Sequence, residues 1–207
     1  MKKTLRRNFL LSSLCVAALP SLSVATEKKT TKDMPLRRKN AEISEEECWK
    51  VINDVPHAVL ATADSAGIPY GVPITPWVYK GKIYFHGAGA NTGRRAENLK
   101  QNPYATLTYI ARDKTNEHKL DVDYVSVIVS GPVKLLEDKQ EKINMMRALM
   151  KRHTPSVDIE KELSKRELKI AAVTNVYELT PEKITGKAKG PAYKDYFGKE
   201  RQAPANK

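Results

Sequence analysis

Three short apolar segments, separated only by turn residues, follow one another within a stretch of about 30 residues of this chain. They are His57–Ala63, Tyr70–Tyr79 and Lys82–Gly87, with Asp64–Gly67 and Lys80–Gly81 as the turns between them. Parallel strands need a crossover of a dozen or more residues, so neighbours this close can pair only as an antiparallel meander. The pattern therefore predicts an antiparallel sheet.

Strand patterns outnumber helix patterns in the rest of the chain as well. Apolar segments at Tyr104–Arg112, Asp121–Glu137 and Ile170–Leu179 predict further strands, whereas a capping box at Ser44–Glu47 and a later amphipathic stripe predict helices. With 207 residues and 41% apolar side chains, one core is expected. We predict a mainly β domain over residues 41–189, an antiparallel barrel of Greek-key type with helices packed outside it.

The first 25 residues have the pattern of a signal peptide. Basic residues at Arg6 and Arg7 precede the apolar run Phe9–Leu19, and the small residues of Ser23–Ala25 follow it. The run is about half as long as a membrane span of roughly 20 residues, so no stable membrane anchor is expected. The adjacent arginines resemble a twin-arginine signal, and an ordinary secretory signal is the alternative. Both signals predict an exported, periplasmic protein.

Polar and basic segments flank the predicted domain. Residues 26–40 form a polar leader and residues 190–207 a basic tail, and both are expected to be solvated. Much of the formal charge of +12 lies at the ends of the chain. We expect no nucleic-acid partner, because the chain has no motif that combines basic with aromatic residues for base binding.

Prolines interrupt the second predicted strand. Pro69, Pro73 and Pro76 cannot donate to a strand ladder, so this strand must lie at an edge of the sheet or leave the ladder. The N–H groups of Ile74 and Thr75 are then free to bind a ligand. Protection of an exposed edge against aggregation is the alternative interpretation.

A predicted helix begins with the segment Asn91-Thr92-Gly93-Arg94-Arg95. The positive end of a helix dipole and its unpaired N–H groups favour an anion, and arginine has a planar fork that matches phosphate oxygens. Two arginines at a helix N-terminus oppose the dipole unless an anion joins them. The segment therefore predicts a phosphate site, and two solvated surface arginines are the alternative.

His86 lies within an apolar strand pattern, a few residues before these arginines. A histidine at such a position either bonds within the core or contacts the same ligand as the arginines. No metal site is predicted, because the four histidines show no zinc-ligand spacing. The chain has no serine-elbow or phosphate-loop motif either.

Several short motifs, in order and at matching spacing, resemble the pyridoxamine 5′-phosphate oxidase-like family of FMN-binding split barrels. The resemblance is closest to the nitroimidazole-reductase (Nim-type) branch of that family and extends over about residues 36–189. The motifs are VLAT at 59–62, GIPYGVPIT at 67–75, KIYFHGA at 82–88, GRRAENLKQNP at 93–103 and YVSVIVSG at 124–131.

The resemblance implies a homodimer in which two split barrels share two FMN sites at their interface. It implies an oxidoreductase that reduces a small flat substrate, a nitroaromatic or a quinone, and it leaves the electron donor open. His86 is expected beside the flavin as the catalytic residue. The residues that the resemblance assigns to the cofactor are Pro73, Ile74, Thr75, His86, Thr92, Gly93, Arg94, Arg95, Tyr124, Ser126 and Lys187.

Two features depart from the family pattern. Asn91-Thr92 lengthens the loop after His86, and Arg95 stands where lysine is commoner, so Arg94 is an alternative partner for the phosphate. The second functional hypothesis is a binding module that holds haem or sequesters flavin without catalysis. In a haem protein His86 would be an axial ligand of the iron.

Overall fold

The computed structural model describes residues 34–89, 92–164 and 173–200. The predicted signal peptide and most of the predicted leader, residues 26–40, lie outside this part of the chain. The chain divides at Pro35 into two units, and every helix and strand given below belongs to the second unit, Leu36–Lys207. No helix in the described part is long and apolar enough to cross a membrane.

Eight strands and five α-helices form the described fold. The strands are β1 (Ala58–Ala63), β2 (Pro69–Ile74), β3 (Trp77–Tyr79), β4 (Lys82–Ala88), β5 (Tyr104–Asn116), β6 (Asp121–Leu135), β7 (Thr174–Leu179) and β8 (Lys183–Lys189). The α-helices are α1 (Glu45–Asp54), α2 (Arg94–Gln101), α3 (Lys139–His153), α4 (Ile159–Ser164) and α5 (Pro191–Phe197). Single 3-10 turns lie at Lys39–Ala41 and Glu117–Lys119.

The strand pairs are all antiparallel, in the order β2-β1-β5-β6-β7-β4-β3, with β8 also paired to β6. One edge of β6 pairs with β5, and the other edge changes partner at Gly131-Pro132: Tyr124–Ser130 pair with β8, and Val133–Leu135 pair with β7. A Cβ on Gly131 would stand 1.9 Å from the carbonyl oxygen of Thr180, so only glycine fits there. The predicted mainly β, antiparallel split barrel with flanking helices is confirmed.

Two apolar clusters hold the barrel together. Successive strand residues point to opposite faces, so alternate residues fill the barrel interior. The buried interior residues include Leu60, Phe85, Leu107, Val127 and Leu179. The second cluster joins β3, β4 and β7 to α3 and α4 on the outside of the barrel, and includes Trp77, Tyr84, Met146, Leu163 and Val176.

The prediction of one continuous strand over Tyr70–Tyr79 is wrong. Strand β2 ends at Ile74 and pairs with β1, whereas β3 begins at Trp77 and pairs with β4. Pro76 has no N–H and restricts the residue before it, so a single ladder cannot continue through this point. The prolines therefore mark the place where the chain passes from one half of the barrel to the other.

The β5–β6 hairpin is longer than its sequence indicated. The predicted strand ends at Arg112, yet β5 and its ladder continue to the pair Asn116–Asp121. The hairpin is exposed here, so charged side chains can point into solvent from both faces of the ribbon. Among the described residues nothing buries the hairpin beyond Arg112, so the apolar residues that indicate a strand stop there, although the strand itself continues to Asn116.

The C-terminal residues differ from the predicted solvated tail, residues 190–207. Pro191–Phe197 form α5, and Ala192 and Tyr193 are buried against the main core. The hydroxyl of Tyr193 donates a hydrogen bond of 2.5 Å to Oε1 of Glu47 in α1. The basic residues of this segment favoured the prediction of a solvated tail, so the amphipathic helix formed by its apolar and aromatic side chains was not predicted.

Glu47 links the two ends of the domain. Its side chain is buried, accepts the hydrogen bond of Tyr193, forms an ion pair of 2.9 Å with Lys199, and completes the capping box with the N–H of Ser44. Burial opposes ionisation, but these partners outweigh it, so the pKa of Glu47 lies below its ordinary value. The ionised carboxylate therefore stabilises the docking of α5 at neutral pH.

Replacement of Tyr193 by Phe is expected to lower the free energy of unfolding by about 1–2 kcal/mol at pH 7, because it removes a hydrogen bond to a buried charge. The folded pKa of Glu47 is depressed, so this stabilisation is complete above the ordinary pKa and is lost as pH falls through the folded value. Urea unfolding at pH 7 and at about pH 3 measures the difference. Tyr196→Phe is the matched control, since Tyr196 bonds to the exposed Asp54.

Candidate functional site

A gap between β2 and β4 is the feature from which the site is built. Across the β3–β4 ladder Trp77 lies opposite Tyr84, and the same register continued by two residues places Thr75 opposite His86. At that point β2 turns away to pair with β1, so no ladder closes the space between β2 and β4 in the described sheet. We call this space the strand gap. Thr75 and Ile74 lie at its closed end, with His86 across from them.

The N-terminus of α2 lies at the open end of the strand gap. Nη2 of Arg94 donates to the carbonyl oxygen of Pro69 in β2 at 3.4 Å, and its guanidinium is 5.0 Å from the ring centroid of Tyr70. Nη2 of Arg95 donates to the carbonyl oxygen of His86 in β4 at 3.3 Å. The two arginines therefore span the strand gap, one held to each of its edges.

Arg95 packs against two aromatic rings and lies over a glycine, which has no side chain to displace it. Its guanidinium is 5.7 Å from the ring centroid of Phe85 and 5.8 Å from that of Tyr177, and these rings stack on each other. A Cβ on Gly87 would stand 2.1 Å from Nη2 of Arg95. Only glycine at this position lets the guanidinium lie against β4.

The cavity at this helix end suits an anion. It has a volume of about 250 Å³ and is lined by Tyr70, Val72, Thr92, Gly93, Arg94 and Arg95. Gly93 is the N-cap of α2 and offers no side-chain oxygen to the helix N–H groups; its φ of 96° is one that glycine adopts readily. Among the described residues no carboxylate pairs with either arginine. Unpaired N–H groups and two cations fit the phosphate of FMN.

His86 is exposed on the outside of β4, beside Trp77, with 6.2 Å between the ring centroids. Desolvation by the surrounding atoms, and then the positive charge of Arg95, lowers the pKa of His86. At neutral pH the imidazole is therefore held in its neutral form. A neutral imidazole can donate one hydrogen bond and accept another, and it can also ligate a metal.

The outward-facing residues of β2, β1, β5, β6 and β8 form what we call the outer sheet face. One row across it joins Pro73, Val59, Thr108, Ile128 and Thr185, each opposite the next in register. Val59 is 43% exposed and Ile128 is 46% exposed, and both carry apolar side chains. This face is therefore an apolar surface turned towards solvent in the single chain.

Three further predicted site residues lie on the outer sheet face but away from the strand gap. Ser126 in β6 is opposite Lys187 in β8, and Tyr124 lies two residues along β6. Strands β1 and β5 separate β6 from β2, which corresponds to roughly 14 Å at the usual strand spacing. The arginine cavity is lined by the predicted residues Thr92, Gly93, Arg94 and Arg95, and the extended β3–β4 register sets Thr75 opposite His86. Pro73, Ile74, Thr75 and His86 do not line that cavity, and Tyr124, Ser126 and Lys187 lie apart from it.

Two residues of the site were not predicted from the sequence. Tyr70 lines the arginine cavity, and His57 is bonded to Thr75, with 3.2 Å between Nδ1 and Oγ1. A half-buried tyrosine on an edge strand and a histidine before a strand have no distinctive pattern in a single sequence. The described residues contain no group of three or more His, Cys, Asp or Glu placed to hold a metal ion.

Comparison with protein families decides where the chain belongs. The family model for pyridoxamine 5′-phosphate oxidase matches residues 44–188, from the cap of α1 into β8. The chain belongs to the pyridoxamine 5′-phosphate oxidase family. A search of curated proteins gives no match.

Solved structures share the fold of this family member at low sequence identity. A candidate 5-nitroimidazole antibiotic resistance protein from Bacteroides thetaiotaomicron has 20% identity and a TM-score of 0.59, over 70% of this chain and 85% of its own. The flavocytochrome Anf3 from Azotobacter vinelandii has 21% identity and a TM-score of 0.59, over 73% and 70%. The FAD and heme binding protein from Mycobacterium smegmatis has 18% identity and a TM-score of 0.58, over 73% and 75%.

Replacement of Gly87 by Ala is expected to displace the Arg95 guanidinium from β4, because the new methyl group and Nη2 cannot occupy the same space. We expect FMN to bind at least about tenfold more weakly, since a charge-assisted contact to a phosphate is lost. Gly71→Ala on β2 is the control, because its Cβ would meet Val59 at an ordinary 3.5 Å. Equal FMN affinities of the two variants, measured by flavin fluorescence, would contradict the assignment of Arg95.

Proposed function

We propose that this protein is an exported, homodimeric FMN-dependent oxidoreductase that reduces a small flat acceptor, a nitroaromatic or a quinone, in the manner of the Nim-type branch. The observation that carries the proposal is the arginine pair across the strand gap. Two cations are unfavourable beside the positive end of the dipole and beside each other, and the acidic side chain in the first turn, Glu97, pairs with Lys100 and not with either arginine. A bound phosphate group removes both conflicts at once.

The residues of the strand gap suit the rest of the flavin. Arg94, Arg95 and the N–H groups after Gly93 would hold the phosphate, while the edge of β2 near Ile74 and Thr75 would offer backbone groups to the ring. When bound, the flavin supplies hydride or electron transfer, which protein side chains cannot carry out. The protein contributes orientation and hydrogen bonds, and neutral His86 is placed to bond to the ring or to the acceptor.

The outer sheet face supports the homodimer. Its centre is apolar and open, with Ile110 59% exposed beside Ile128, and such a surface is typical of a site that a protein partner covers. A two-fold partner would set the same face of a second copy against it. The partner's own outer sheet face could then bring a second set of Tyr124, Ser126 and Lys187 towards the strand gap, which these residues do not reach within one chain.

The neighbours in structure agree with a cofactor-binding role in general terms. One is associated with nitroimidazole resistance by its name, and the other two are named for flavin or haem binding. Export to the periplasm is inferred from residues 1–25 alone. NAD(P)H is scarce outside the cytoplasm, so we propose that a protein or a quinol donates the electrons.

Haem binding is the second candidate function. Neutral His86, exposed beside the flat ring of Trp77, is the form of histidine that ligates iron. The arginine pair could then contact the haem propionates, which are anions as phosphate is. FMN is preferred because the arginine cavity, of about 250 Å³, lies at a helix N-terminus, where unpaired N–H groups favour a phosphate.

The absorbance of the purified protein after addition of FMN or haem separates the two functions. We expect flavin bands, and we expect Arg95→Ala to weaken FMN binding by about 10- to 100-fold, since it removes a charge-assisted contact. Arg94→Ala should have a smaller effect, because Arg94 is the more exposed. Lys100→Ala, in the last turn of the same helix, is the control. A Soret band without flavin binding would favour the haem protein, and unchanged FMN affinity of both arginine variants would refute the phosphate site.

Replacement of Ile128 by Lys is expected to convert a dimer into monomers, because it places a charge at the centre of the outer sheet face. Sedimentation velocity measures the change in mass. Val157→Lys is the matched control, since Val157 is equally exposed but lies in the loop between α3 and α4. A monomeric wild-type protein, or a dimeric Ile128→Lys variant, would show that this face is not the interface.

A further inference from the structure

His57 lies where the strand gap meets the outer sheet face. It precedes β1, and its Nδ1 is 3.2 Å from Oγ1 of Thr75, the residue at which β2 turns away from β4. Two residues further along, Val59 faces outward opposite Pro73, so the alternation of the strand directs His57 to the same face. The His57 ring is exposed. It therefore borders the position at which the proposed function places the flavin ring and its acceptor.

The bond to Thr75 leaves Nε2 of His57 as the nitrogen that faces outward. A hydroxyl can accept a hydrogen bond from a protonated Nδ1 or donate one to an unprotonated Nδ1. Thr75 can therefore stay bonded to the ring in each protonation state. A ring that keeps its orientation while its charge changes can give up a proton and regain it at one fixed atom.

His57 and His86 have different surroundings. Desolvation and the charge of Arg95 keep His86 neutral, so it is poorly suited to deliver protons. His57 interacts electrostatically with His153 at the end of α3, and Arg152 acts on the same His153 ring. Burial and Arg152 keep His153 neutral as well, so a positive charge on His57 meets no second charged histidine.

We propose that His57 is the proton donor of the site, and that the acceptor is a quinone or a similar molecule with a carbonyl oxygen beside Nε2. This inference rests on the proposed function. Conversion of a quinone to a hydroquinone takes up one hydride, which reduced FMN provides, and one proton. The Nε2–H bond of the His57 imidazolium breaks as an O–H bond forms on the quinone. The exposed ring then regains its proton from water.

The test compares the wild-type holoprotein with His57→Gln. Glutamine retains a polar group near Thr75 but cannot deliver a proton. FMN affinity, measured by flavin fluorescence, is expected to change less than about threefold. The bound FMN is then photoreduced without oxygen, with EDTA as the electron donor, and mixed with benzoquinone, and its reoxidation is followed by absorbance. We expect the variant to be about 100-fold slower, which is the lower end of the usual contribution of a general acid.

The pH dependence gives a readout that a structural role would not affect. The wild-type rate should fall as pH rises and His57 loses its proton, whereas the rate of His57→Gln should not vary over the same range. An NMR titration of the His57 ring protons, recorded without turnover, should have the same midpoint as the wild-type rate. His118→Gln, in the exposed 3-10 turn of the β5–β6 hairpin, is the control and should behave as wild type.

The outcomes separate this inference from the proposed function. If FMN binds and the His57→Gln variant shows the wild-type rate and pH profile, the proton-donor role is wrong and the flavin function stands. If the protein binds no FMN, the proposed function fails and this inference fails with it. A slower variant with an unchanged pH profile also refutes proton delivery, because His57 would then act only by holding Thr75.

Discussion

The site depends on one constraint of the backbone, the break in strand pairing at Pro76. Pro76 has no N–H to donate to a ladder, and its ring also restricts Thr75 before it. The chain therefore pairs with β1 before Pro76, along β2, and with β4 after Pro76, along β3. The consequence is a barrel that is not closed on one side. Arg94 and Arg95 lie along that opening, each bonded to one of its edges.

The second feature of the site is a pair of positive charges that the fold keeps at an unfavourable position. Arg94 and Arg95 stand at the positive end of α2, where cations are unfavourable. They stay there because each is attached to a different edge of the strand gap, through the carbonyl oxygens of Pro69 and His86 and through aromatic rings. The glycine at position 87 makes the second attachment possible. A site that holds two cations in place before an anion arrives needs little reorganisation when it binds.

One outer side of the barrel is covered by helices, and the other is exposed. Helices α3 and α4 cover β3, β4 and β7 with apolar side chains, whereas Val59, Ile110 and Ile128 remain exposed on the other side. The strand gap lies between these sides, next to His57 and His86. A second copy on the open side would complete the enclosure and exclude water from the ring of the flavin. The proposed dimer and the proposed cofactor site therefore depend on the same feature, the uncovered side of the barrel next to the strand gap.

The sequence alone was sufficient for the fold class, the position of α1 and α2, and the placement of Arg94 and Arg95 at the start of α2, because local signals specify each of them. Short strands joined by tight turns must be antiparallel, Ser44 and Glu47 cap a helix, and arginines before a helix indicate an anion. Tertiary structure decided what depends on pairing between distant segments. The division of Tyr70–Tyr79 into two ladders, the docking of α5 through Tyr193 on Glu47, and the approach of His57 to Thr75 each join residues that are far apart in the chain or belong to competing strands. A single sequence does not encode such contacts locally, since their energy arises only when the barrel has formed.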